Sequence, residues 1–300
     1  MKEIENRKKV VYELSISTKK LNFLVEKTII QNRGFETLGY EIGGQDTKCL
    51  NITVTNIFKG DYEDMLKSFM KPNIASFNSI KYAKECRLGG IELDKSSGTR
   101  DLMLSGFALI KSESDHIDYF SLTDASSASR VFAESNTIQC GDESISLPIL
   151  SILKHTKTWY EYHFNATLED ASLKYFYEQG IKKLKEITIE EVLKLVNLFQ
   201  EEITTIDINF EKADKKSKFL DYIQKLDKTK LCKIAGSSAI HRLFIELFEK
   251  RDPLTQTKWI IPIDKLKLPN ITTKKASLSG GQKFFDKNKN FSLTGGHLFR

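Results

Sequence analysis

The chain has 300 residues, 40% of them hydrophobic and 29% charged. That excludes a mainly disordered, collagen-like or coiled-coil protein and leaves one large domain or two smaller ones, with ample length for a core. The net charge of +6 resembles a general bias toward acidic partners, yet residues 264 to 300 hold eight basic residues (Lys265, Lys267, Lys274, Lys275, Lys283, Lys287, Lys289, Arg300) against Asp264 and Asp286. That stretch alone accounts for the excess, and the rest of the chain is neutral.

The charged start, Met1-Lys-Glu-Ile-Glu-Asn-Arg-Lys-Lys, leads into a short apolar alternation without the apolar run of a signal peptide. No stretch approaches the roughly 20 apolar residues needed to cross a bilayer, so the expectation is a soluble protein with no membrane span. Cys49, Cys86, Cys140 and Cys232 are far apart and form no Cys-x-x-Cys pair. Their spacing suggests neither a zinc knuckle nor a dense disulfide framework, and the expectation is reduced, buried thiols in a cytoplasmic setting.

In chain order, residues 10 to 16 alternate apolar and polar and predict a half-buried strand. Leu21, Leu24, Val25 and Ile29 fall on one stripe and predict a helix over 21 to 30. Gly34, Gly39 and the Gly43-Gly44 pair read as turns. Cys49 to Phe58 is the clearest strand of the N-terminal half, and a short helix at 62 to 70 stops before Pro72. Arg87 to Leu93 reads as a strand, Asp101 to Lys111 as a helix, Ile117 to Thr123 as a strand, and Pro148 to Tyr162 as a helix with proline in its first turn. This order predicts a βαβ crossover with at least two parallel strands. Residues 173–185, 189–203, 210–226 and 237–250 carry helical periodicity, and Thr188 with Glu191 matches a capping box. Trp259 to Ile263 predicts one further strand returning to the sheet, and the tail beyond it reads as partly disordered.

The segment Ile91-Glu92-Leu93-Asp94-Lys95-Ser96-Ser97-Gly98-Thr99-Arg100-Asp101 runs from a strand through a Ser/Gly turn into a helix. Backbone N–H groups at such a turn converge on a phosphate, and Arg100 adds a charged contact. Downstream come Ser121-Leu-Thr-Asp-Ala-Ser126, a helix near Leu147, and Thr158-Trp-Tyr-Glu-Tyr-His-Phe164. With these the chain resembles the GNAT superfamily of N-acetyltransferases over roughly residues 87 to 166. The similarity is closest to divergent GNAT-like proteins of large DNA viruses, which share the Asp-Ala-Ser turn and the Ser/Thr-Trp-Tyr motif. In that superfamily a strand, a Gly-rich pyrophosphate loop and a helix form the acetyl-CoA site, and the next strand splays away from the first.

The resemblance implies an α+β fold with a GNAT-like mixed sheet and flanking helices over residues 1–166; periodicity and charge add a mainly helical domain with a returning strand over 167–263 and a basic, partly disordered tail over 264–300. It implies acetyl-CoA as cofactor, held by Lys95, Ser96, Ser97, Gly98, Thr99 and Arg100, with the backbone of Leu93 polarising the thioester. Tyr160 is then the proton donor to the departing thiolate, Glu92 the base for the amine, and Asp124 and Ser126 contacts to the pantetheine arm or substrate. A phenol suits that role because it stays protonated at neutral pH. The chain departs from the family pattern in having one glycine, Gly98, in the loop, and His163 where the last aromatic is usually preceded by glycine. The implied activity is transfer of an acetyl group to an unknown amine or protein acceptor, in the cytoplasm or a virion. The competing class is a non-catalytic GNAT-like viral structural or interaction protein that docks through its basic C-terminal tail.

Leu278-Ser-Gly-Gly-Gln282 matches the short ABC-ATPase signature, but the chain has no phosphate-cradling Gly-x-x-x-x-Gly-Lys-Ser/Thr. The tail instead repeats Ser277-Leu-Ser-Gly-Gly-Gln-Lys-Phe284 as Ser292-Leu-Thr-Gly-Gly-His-Leu-Phe299, a pattern that suits a linear binding element for a protein partner. Nucleic-acid binding by this tail would be unspecific and salt-sensitive. The five histidines show no metal spacing.

Overall fold

In a computed structural model, residues 6–16, 21–32, 34–58, 63, 64, 67, 73–80, 86, 95–124, 127, 128, 145–197, 199–249, 254 and 257–275 are described. Five strands open the chain as an antiparallel meander: β1 (Asn6–Ile16), β2 (Leu21–Asn32), β3 (Phe35–Gly43), β4 (Lys48–Ile57) and β5 (Ile74–Ile80). Helix α1 (Lys95–Glu113) then crosses to β6 (Tyr119–Asp124), which lies parallel to β5. A short pair, β7 (Ser127–Ala128) with β8 (Ile145–Ser146), precedes α2 (Leu147–His155), α3 (Trp159–Phe164) and β9 (Thr167–Leu168). Six helices follow: α4 (Ala171–Glu186), α5 (Ile189–Leu195), α6 (Phe199–Ile206), α7 (Phe219–Ile223), α8 (Lys228–Gly236) and α9 (Ser238–Leu247). β10 (Thr257–Pro262) and β11 (Ile271–Lys275) complete a nine-stranded mixed sheet of order β11-β1-β2-β3-β4-β5-β6-β10-β9. The α+β class and the parallel crossover are therefore present.

Several elements differ from the sequence reading. Residues 21 to 30 are strand, not helix: Leu21, Phe23 and Val25 alternate inward against Ile16, Leu14 and Tyr12. The strand wins because β1 and β3 supply a ladder on both edges, which overrides a short helical stripe. The glycines at 34 to 43 do not all mark turns. Gly34, at φ 88°, closes the two-residue hairpin in which Asn32 faces Phe35, but Gly39 sits mid-strand opposite Thr28 and Thr53. The parallel partner of β6 is β5; the place beside β6 expected for residues 87–93 is taken, and those residues lie outside the described set.

The helix expected over 148 to 162 is broken in two. Thr156 adopts φ 58° as the left-handed cap of α2, and the Thr158 side chain accepts from the Glu161 N–H to start α3. The capping box at Thr188 and Glu191 is formed. Residues 264 to 275 are not part of a loose tail. β11 pairs with β1 from Ile16↔Ile271 to Tyr12↔Lys275, so Lys265, Lys267, Lys274 and Lys275 belong to the ordered structure.

The middle of α1, from Leu102 to Ile110, is apolar on nearly every face and is buried accordingly. Its Gly106 lies against β4: a Cβ there would meet Leu50 and Ile52 side chains at 2.8 and 2.9 Å. Phe107 joins Phe77, Phe120 and Phe164 at centroid distances of 5.1, 4.3 and 5.4 Å, tying β5, β6 and α3 to the helix. The helices from α4 to α9 form an insertion between the neighbouring strands β9 and β10, and share one contiguous apolar core with the sheet. Tyr177 on α4 carries that core across: its ring meets Trp259 of β10 at 5.6 Å, and its hydroxyl donates to Glu161 of α3.

The cysteines also differ from expectation. Cys49, at the start of β4, is disulfide-bonded to Cys86, and Cys232 on α8 is also disulfide-bonded. A 37-residue spacing carries no signal of pairing; the meander brings the two sulfurs together.

Candidate functional site

The parallel strands β5 and β6 are laddered only from Ile74↔Tyr119 to Phe77↔Leu122. Beyond that point β5 continues along β4 (Ser79↔Asn51, Ile80↔Leu50) and β6 continues along β10 (Thr123↔Lys258, Asp124↔Thr257). The carboxyl ends of the two strands thus part into a wedge, which is where open α/β sheets place their ligands. The divergence has a local cause: Asn78 is an extra residue of β5, since Phe77 faces Ile52 while Ser79 faces Asn51. The Asn78 amide donates to Asn51 Oδ1 at 2.7 Å and Thr53 Oγ1 at 2.6 Å, fixing the bulge on β4. Ser76 and Ser121, with oxygens 3.3 Å apart, bridge the two strands just before they separate.

α1 points its N-terminal half toward this end of the sheet, because it enters after β5 and leaves toward the start of β6. Lys95 to Arg100 are its first turns, not a loop as expected. The N–H groups of the first four residues have no partner within the helix, which preserves an anion-attracting end without a glycine-rich turn. Thr99 is half-buried and Arg100 exposed. Glu92, Leu93 and Ser126 lie outside the described residues, and Asp124 ends β6 beside Thr257.

Opposite Arg100 stands α3. Tyr160 is half-buried against the core, its ring edge-on to Trp159 at 5.3 Å. His163 lies between Trp159 at 4.8 Å and Tyr162 at 4.9 Å, and Tyr162 stacks on His155 of α2 at 4.3 Å and 17°. Burial lowers the affinity of His163 for a proton, and the Arg100 guanidinium and His155 lower it further. His155 is likewise lowered by burial and then by Lys154. The sequence marked Arg100 and Tyr160, and noted His163 only as a missing glycine. It did not mark His155 and Tyr162, whose approach depends on the left-handed break at Thr156.

Elsewhere two carboxylates are well compensated. Glu113, at the far end of α1, accepts from Tyr12 at 2.8 Å and Tyr40 at 2.9 Å and pairs with Lys27. Asp207 accepts from Tyr222 at 2.6 Å and pairs with Lys230 at 3.1 Å. An open groove of about 410 Å³ lies between α5 and α6, far along the chain from the wedge. Among the described residues no cluster of three or more His, Cys, Asp or Glu is placed to hold a metal, and no helix is long and apolar enough to cross a membrane. Set against known proteins, the chain matches no family model, no curated protein and no solved structure.

Proposed function

We propose that the chain is a GNAT-like acyltransferase that takes acetyl-CoA into the wedge between β5 and β6 and passes the acetyl group to an amine. The observation that carries this reading is the end of pairing at Phe77↔Leu122. Past it, two strand edges that face each other carry no ladder among the described residues, which suits the binding of an extended amide-bearing arm between them. A helix N-terminus and Arg100 at the same end suit a diphosphate.

Backbone N–H groups at the wedge, those of Leu93 together with those of β5 over residues 78 to 80, polarise the thioester carbonyl. Glu92 accepts the proton of the amine as its nitrogen attacks that carbon. The C–S bond breaks, and Tyr160 donates its phenolic proton to the departing thiolate, regaining one through solvent. The disulfides support an oxidising setting in place of a reducing cytoplasm.

Calorimetry of the full chain with acetyl-CoA tests the reading. Absence of binding at submillimolar cofactor removes it. With binding in hand, Tyr160→Phe should lower turnover by roughly 100-fold, the lower range for a lost general acid, with cofactor affinity unchanged. Equal losses in both would make Tyr160 a packing residue.

A further inference from the structure

We propose that Arg100, Lys154, His155 and His163 form an anion-binding patch that grips the phosphate groups of the cofactor, so that side chains do here what a glycine-rich backbone loop does elsewhere. The identity of the ligand rests on the acyl-CoA reading above; the patch itself does not.

The geometry assembles the four residues from three elements. Phe107 of α1 packs edge-on against Phe164 of α3 at 5.4 Å. Arg100 is two turns before Phe107 on the same helix face, which sets it beside the residues of α3 that lie next to Phe164. His163 is the nearest of these in sequence, and the guanidinium acts on its charge. His163, Tyr162 and His155 then run as a continuous chain of ring contacts, at 4.9 and 4.3 Å, and Lys154 adjoins His155 at the basic end of α2.

Among the described residues the charge of this patch is uncompensated. Among the described residues none of the four has an ion-pair partner, although the other basic side chains packed against acidic neighbours, such as Lys27, Lys230 and Arg242, each do. The one carboxylate of α3, Glu161, is engaged by the Tyr177 hydroxyl at 2.5 Å. Asp101, next to Arg100, is buried. Arg100 and Lys154 disfavour the charged forms of His163 and His155, with no counter-charge among the described residues, and a bound anion offsets that cost. An exposed Arg with two imidazoles that can each donate from a ring nitrogen matches the several oxygens of a diphosphate or phosphate ester. The patch stands at the N-terminal half of α1, the end that faces the wedge, so one ligand reaches both.

Calorimetric titration of the full chain with inorganic pyrophosphate and with coenzyme A, at low salt, tests the assignment. Both should bind, and Arg100→Gln should weaken both by about tenfold, the loss of one charged hydrogen bond. The unfolding midpoint should not move, because the side chain is exposed. His163→Gln should weaken both in the same direction and reduce the tightening of binding at lower pH. If coenzyme A binds and neither variant weakens it, the patch is wrong and the acyl-CoA reading survives. If pyrophosphate binds through Arg100 but coenzyme A binds no tighter, the patch stands and the acyl-CoA reading falls. Wild-type protein that binds neither at millimolar concentration overturns both.

Discussion

The two ends of α1 solve opposite problems. At the C-terminal end the Glu113 carboxylate receives two tyrosine hydroxyls and a lysine, and the Lys27 ammonium also lies 5.2 Å from the Tyr40 ring centroid. Tyr12 and Tyr40 are held protonated by burial first and by Glu113 second. Glu113 and Lys27 answer each other within the protein, and the cluster pins the helix across β1, β2 and β3. At the N-terminal end Arg100 acts on His163 and Lys154 on His155, and none of the four has an ion-pair partner among the described residues. A buried charge that is paired belongs to the fold; cations gathered without a partner point outward to a ligand.

Phe107→Ala breaks the comparison most severely, because this ring links α1 to β5, β6 and α3 together. About 3–5 kcal/mol of stability should be lost in denaturant unfolding, as for other fully buried phenylalanines, and the anion patch should be lost with it. Glu113→Ala attacks only the paired end. Two buried hydroxyls lose their acceptor and Lys27 its partner, for about 2–4 kcal/mol, reduced from a larger sum because Glu113 and Lys27 keep some contact with solvent. Pyrophosphate affinity should stay at the wild-type value; a drop would mean the two ends are not independent.

The smallest effect is the dependence of stability on pH. His155 and His163 both have folded-state proton affinities below the ordinary histidine value of 6.5. The unfolded chain therefore binds more protons in the window just below 6.5, and stability falls as pH drops through it. Both histidines are partly exposed, so the slope is modest. Replacing both by Gln should flatten it in urea unfolding at pH 7.5 and 5.5, and saturating pyrophosphate should oppose it. A slope that Gln at both positions leaves unchanged would place the acid sensitivity elsewhere.

Much of the architecture was legible wherever a segment carries its own period. β1, β4, β6 and β10, the helix over α1, and the capping box at Thr188 and Glu191 each declare themselves within a dozen residues. β2 and β3 did not, since Leu21 to Ile30 fits either period over so short a run and the glycines of β3 mimic turns. β5 was missed because its seven residues include a bulge at Asn78 that spoils the alternation. Of the candidate site, Arg100 and Tyr160 were visible as residue types, whereas the parallel neighbour of β6 is β5 and not the strand expected over residues 87–93.

Local spacing sufficed to mark most helical segments and the capping box, because those depend on neighbours within a few residues, but not the breaks at Thr156 and between Leu195 and Phe199. The charge excess was also plain, although two of its seven lysines, Lys274 and Lys275, turn out to lie in β11, paired with β1 more than 250 residues away in the chain. Which strand lies beside β6, which cysteine reaches Cys49 and which cations meet at α3 required the fold. Each depends on closing a loop of dozens of residues, and no local pattern encodes the partner at the other end.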